Sequence, residues 1–128
     1  GRPLIVGGRS SGARVACRTA TAVGAVAVLA LAFPLHPPGR PERTRDAELD
    51  TGLPTLVVNG DRDPFGVPDP RPRVTVVVRP GERHDLSRDP AATAAAVLEF
   101  LRRHGWARVG QSGRSSRRVP GTSRAPER

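Results

Sequence analysis

The 128-residue chain contains no lysine and no methionine, and it has a single cysteine. Without lysine, all 21 of its Lys+Arg positions are arginine, and with many alanines, glycines and prolines this fits a GC-rich coding bias better than a specialised function. The lone Cys17 excludes an intramolecular disulfide and reads as a small buried hydrophobe. Long apolar runs are missing too. Arg14 and Arg18 interrupt the apolar stretch that continues to Leu35, and Gly24 and Pro34 lie within it, so no span of about 18 apolar residues forms there. Taken as a secretory signal, the same stretch lacks the start methionine that such a segment follows. A cytoplasmic location is the default expectation, with no membrane partner.

The formal charge of +9 is unevenly placed. Residues 107–128 carry Arg108, Arg114, Arg117, Arg118, Arg124 and Arg128 against Glu127 alone, in a setting of Gly, Ser and Pro with almost no apolar periodicity. This segment reads as a disordered tail following a domain over residues 1–106. Counterion release could draw such a tail to nucleic acid, but no aromatic residue for base stacking lies among its arginines, and no nucleic-acid partner is expected. No group of side chains has metal-ligand spacing and no glycine-rich loop reads as a nucleotide cradle, so no cofactor is expected either.

The informative pattern is Gly8-Arg9-Ser10-Ser11-Gly12, which follows a short apolar run and opens a helix-compatible stretch. A serine bracketed this way is a nucleophile elbow, where a sharp strand-to-helix turn exposes Ser10 Oγ and glycines two residues away let the backbones approach. The same turn aims the first free N–H groups of the next helix at the site, which makes the amide of Ser11 an oxyanion-hole donor. An acid and a base follow in the chain. The buried-strand pattern Thr55 to Val58 leads into Asn59-Gly60-Asp61-Arg62-Asp63, offering Asp63 as the acid. The β-branched run Val74 to Val78 leads to a loop that offers His84 as the general base. Serine, aspartate and histidine in this order, each on a loop past a strand, match a hydrolytic triad. In such a triad the base takes the serine proton and the acid fixes the imidazole.

Residues 7–18 (Gly-Gly-Arg-Ser-Ser-Gly-Ala-Arg-Val-Ala-Cys-Arg), 29–42 (Leu-Ala-Leu-Ala-Phe-Pro-Leu-His-Pro-Pro-Gly-Arg-Pro-Glu) and 54–66 (Pro-Thr-Leu-Val-Val-Asn-Gly-Asp-Arg-Asp-Pro-Phe-Gly) together resemble the small bacterial α/β-hydrolases. The resemblance is to the group related to the testis-expressed and NSL-complex-subunit hydrolase-like proteins, near the dienelactone hydrolases. It implies an α/β fold of three layers with a mostly parallel sheet, a serine-hydrolase architecture, and Ser10, Asp63 and His84 as the triad. Asp61 competes for the acid role, but Asp63 matches the family's glycine-x-x-aspartate turn. Such domains normally need about 200 residues or more. The chain is accordingly expected to be a C-terminal part with the N-terminal strands missing, and to be marginal in stability and inactive by itself.

Further expectations concern the elements around the triad. Pro3 to Val6 would be the strand before the elbow, Ala13 to Val23 the elbow helix with Gly24 as its break, and Ala25 to Phe33 the next buried parallel strand. His36, on the proline-rich loop just past that strand, is expected at the rim of the pocket as a substrate contact. A last helix from Pro90 to His104, capped by Asp89, would bury Ala94, Val97, Leu98 and Leu101, with Phe100 alongside. Functionally these features favour a serine hydrolase acting on an ester, thioester or lactone-like small acyl substrate. The alternative is a catalytically silent hydrolase fold used for binding or scaffolding.

Overall fold

The computed structural model describes residues 2–107, so the predicted tail beyond Ala107 lies outside the described residues. The chain divides into two compact units, residues 1–97 and residues 98 onward. The first unit carries a four-stranded sheet in the order β1 (Ile5–Arg9), β2 (Ala27–Leu31), β3 (Thr55–Gly60), β4 (Val74–Arg79). Every pairing is parallel, with Ile5 opposite Ala27, Val28 opposite Thr55 and Thr55 opposite Val74. Helix α1 (Ser11–Thr19) connects β1 to β2, a 3-10 helix (Asp46–Leu49) lies between β2 and β3, and α2 (Pro90–Arg103) follows β4.

The sequence of β3 explains its central place. All six residues of Thr55-Leu56-Val57-Val58-Asn59-Gly60 are buried, as a parallel strand covered on both faces requires. Beside it β2 is mostly buried, whereas β1 and β4 at the sheet edges are half-buried. The inner face of α1 is formed by Ala13, Ala16, Cys17 and Ala20, at helical spacing. Such small side chains let the helix lie close to the sheet, where they share one core cluster with Val28, Ala30, Phe33, Leu49 and Val57.

Several boundaries differ from the sequence expectation. β1 begins at Ile5 rather than Pro3 and runs through both Gly7 and Gly8 to Arg9. α1 starts directly at Ser11 and ends at Thr19. Beyond it the chain tightens into turns that close with Gly24 at φ 76 and the N–H of Ala25 donating 3.0 Å to the carbonyl of Ala20, so the expected break stays at Gly24 although the helix stops earlier. β2 is shorter than expected because Ala32 turns to φ 51 at its end. In α2 the Asp89 cap is present, its Oδ1 accepting the Ala92 N–H at 3.1 Å. The expected apolar stripe is displaced. Ala94 and Leu98 are exposed, and Thr93 and Phe100, seven residues apart, are buried. In the second unit Phe100, His104 and Trp106 form an aromatic group, with His104 stacked on Trp106 at 5.0 Å.

Candidate active site

The carboxyl ends of β1, β3 and β4 bring three side chains together. Ser10 follows β1 in a conformation of φ 56 and ψ −123, a region that a non-glycine residue occupies only when the surroundings enforce it. What enforces it is the close crossing of β1 and α1. A Cβ on Gly8 would lie 2.3 Å from the backbone of Gly12, so only glycine fits beneath the turn. At Gly12 itself nothing lies within 4 Å of a built Cβ, which corrects the expectation that both glycines are needed for the approach. The Ser10 N–H is anchored to the carbonyl of Leu31 in β2 at 2.9 Å.

The Ser10 hydroxyl lies 2.7 Å from His84 Nε2, and His84 Nδ1 lies 2.8 Å from Asp63 Oδ2. A carboxylate can only accept, so the Asp63 contact places the proton on Nδ1 and leaves the Nε2 lone pair to accept from the serine hydroxyl. The Asp63 side chain is 0% exposed and that of His84 24%, so the acid is sealed and the base opens toward solvent. Asp63 Oδ1 accepts the N–H of Phe65 at 2.8 Å, which leaves Oδ2 directed to the imidazole. The ring of Phe65 then packs on that imidazole, with centroids 4.3 Å apart. The competing acid is engaged elsewhere: Asp61 is exposed, and its Oδ1 accepts the N–H of Gly81 at 2.9 Å. Asp85 accepts from the Ser87 N–H through Oδ1.

Ser11 is the first residue of α1, where helix N–H groups have no carbonyl of the preceding turn to bond. His36 has no hydrogen bond to Ser10, His84 or Asp63. Its Nδ1 is 2.8 Å from the carbonyl of Pro37, and its N–H donates to the carbonyl of Phe65 at 3.0 Å. Its ring lies against Gly66, where a Cβ would fall 2.6 Å from His36 Nε2 and where φ is 90. His36 is therefore joined to the loop that carries Asp63.

Two residues that sequence reasoning passed over also shape the site. Asn59 is fully buried, and its amide accepts the N–H of Phe33 at 2.9 Å while donating to the carbonyls of Phe33 at 2.9 Å and Gly66 at 3.0 Å. It ties the end of β2 to the acid loop. An amide set inside an apolar strand run was the available signal, since a buried polar side chain needs partners. The guanidinium of Arg9 donates to the carbonyl of Asp85, linking the serine turn to the base loop, and a single arginine in an arginine-rich chain carries no such signal. Cys17 has no part in the chemistry: burial, with a smaller push from Glu48, moves its thiol up to about 12, away from thiolate. Among the described residues no three His, Cys, Asp or Glu side chains are grouped to hold a metal ion, and no helix is long and apolar enough to cross a membrane.

The profile of the alpha/beta hydrolase domain family matches residues 1–94. Among solved structures the chain is similar to an α/β serine hydrolase without a lid from Xanthomonas campestris. The TM-score is 0.58 at 25% identity, covering 80% of this chain and 48% of that one. The chain thus spans about half the length of that hydrolase. No curated protein matches it.

Proposed function

We propose, for a chain that belongs to the α/β-hydrolase domain family, a serine hydrolase acting on small acyl substrates, an ester, a thioester or a lactone, through Ser10, His84 and Asp63. The observation that carries this is the continuous relay of 2.7 Å and 2.8 Å from Ser10 Oγ through the imidazole to a sealed carboxylate. As Ser10 Oγ attacks the substrate carbonyl carbon, its proton passes to His84 Nε2. Asp63 stabilises the resulting imidazolium, and the carbonyl oxygen gains the negative charge. The Ser11 N–H is a donor for that oxyanion, reinforced by the positive end of α1. Collapse of the tetrahedral intermediate breaks the bond to the leaving group, which takes the proton from His84. Water then enters, gives its proton to His84 and its oxygen to the acyl carbon, and the acid departs as Ser10 regains its proton. Within the family we place the chain near the dienelactone hydrolases, on the three stretches quoted above. His36 enters only at the rim, through the acid loop it packs against.

The test is covalent labelling of the full-length protein with a fluorophosphonate probe, which reacts with an activated serine. Labelling of the wild type that is lost in both Ser10→Ala and His84→Ala is expected. A folded wild type that does not label would overturn the hydrolase assignment.

A further inference from the structure

Among the described residues, the mechanism leaves one buried carboxyl side chain unused. Glu82 is 1% exposed, two residues before His84, and it faces no basic side chain among its hydrogen-bond partners. Its carboxylate instead accepts two backbone N–H groups from beyond the histidine: Arg88 at 2.9 Å on Oε1 and Asp89 at 2.7 Å on Oε2. The side chain thereby closes the segment from residue 82 to residue 89 into a ring that contains His84 and ends at the cap of α2. Its backbone faces the other way, toward the acid loop. The Glu82 carbonyl accepts the Arg62 N–H at 3.0 Å, and Gly60 approaches so closely that a Cβ there would lie 2.0 Å from that oxygen.

The ring also holds strain. Leu86, buried within it, takes a φ of 52, which a branched residue adopts only under outside constraint. A carboxylate removed from water is tolerated where it accepts charge-assisted bonds, and two backbone donors meet that need while fixing both ends of the loop.

We propose that Glu82 is a positioning residue that sets where His84 stands between Ser10 and Asp63, an inference that rests on the hydrolase function above. In Glu82→Gln the carboxamide keeps the shape but presents its NH2 to one of the two N–H donors, so one of the two bonds that close the ring is lost and the segment around His84 is held less firmly.

The test compares histidine ring NMR signals of wild type and Glu82→Gln in the full-length protein, with His36 and His104 as internal references, and measures hydrolysis of p-nitrophenyl acetate on the same samples. The His84 signals are expected to move while the two references stay. kcat is expected to fall by about 10²-fold with KM unchanged, since a misplacement near 1 Å has that effect. Superimposable His84 signals, or an unchanged kcat in an active enzyme, would overturn the proposal. If neither protein hydrolyses the ester but the His84 signals still move, the positioning role stands and the hydrolase function falls. Amide exchange in the wild type covers a variant that does not fold: Arg88 and Asp89 amides are expected to be protected, and free exchange at both overturns the role of Glu82.

Discussion

Gly8 and Gly12 flank Ser10 symmetrically in the chain, yet a methyl group would meet different surroundings at each. At Gly8 it would strike the backbone of Gly12 and Ala13, which cannot yield without moving the serine turn. At Gly12, near the start of α1, it would enter open space and reduce the freedom of the unfolded chain. Gly8→Ala is therefore expected to destabilise by about 3 kcal/mol and to abolish probe labelling. Gly12→Ala is expected to stabilise by roughly 0.5–1 kcal/mol with labelling retained. Thermal unfolding of the two variants, each labelled in parallel, checks the pair, and equal losses would show that the close approach is not what confines position 8. Both glycines were legible in the sequence, but their inequality was not, because it depends on the angle at which α1 leaves β1. Between Asp61 and Asp63 the resemblance, through the family's glycine-x-x-aspartate turn, pointed to Asp63, the carboxylate that lies 2.8 Å from His84. The duties of Asn59 and Glu82 depend on backbone partners far away in the chain, which no local pattern displays.

At the scale of elements, the placement of α1 rests on an ion pair as well as on its alanine face. Arg14 donates from Nε to Glu48 Oε1 at 2.9 Å and from a terminal nitrogen to Oε2 at 2.7 Å, fastening α1 to the 3-10 helix. With side chains 27% and 22% exposed, the pair is partly shielded. Hydrogen bonding to Arg14 holds the Glu48 carboxyl below its ordinary range, and the same bond raises Arg14. A carboxylate depressed on folding stabilises the protein above its unfolded pKa, about 4.3 for glutamate, and that stabilisation is lost as pH falls through the lower folded value. Glu48→Gln should thus cost about 1 kcal/mol at pH 7, with the gap to wild type closing as denaturation curves are taken down through pH 4 and below. A gap independent of pH would assign the cost to packing instead. The arginine and the glutamate were both visible in the sequence, but not the pairing, since the 3-10 helix lies in a stretch with no periodic signal. The face of α2 was misplaced for a related reason. Ala91-Ala92-Thr93-Ala94-Ala95-Ala96 offers almost no contrast in hydropathy, so its apolar residues fit several phases, and packing selects the one through Thr93 and Phe100.

At the scale of the whole molecule, the order β1-β2-β3-β4 follows the chain, and its parallel pairing is what the resemblance to the α/β-hydrolases implied. Among the described residues the same order leaves β1, which leads directly into Ser10, at an edge of the sheet, with no strand paired to its outer side. Exposed apolar side chains lie in this part of the chain, at Leu4 before β1, Val15 on the outer side of α1 and Val23 in the turn after it, and also at Val78 on the other edge strand, β4. A free parallel edge is a template for further strand pairing, and the net charge of +9 opposes association by repulsion without removing that template. The 128-residue chain is therefore expected to self-associate, with sedimentation velocity showing species that grow with protein concentration. Leu4→Lys combined with Val15→Lys should shift the distribution toward monomer, because each replaces an exposed apolar side chain with a charge and neither residue is among Ser10, Asp63 and His84. A chain that stays monomeric at every concentration would mean that the outer side of β1 is protected.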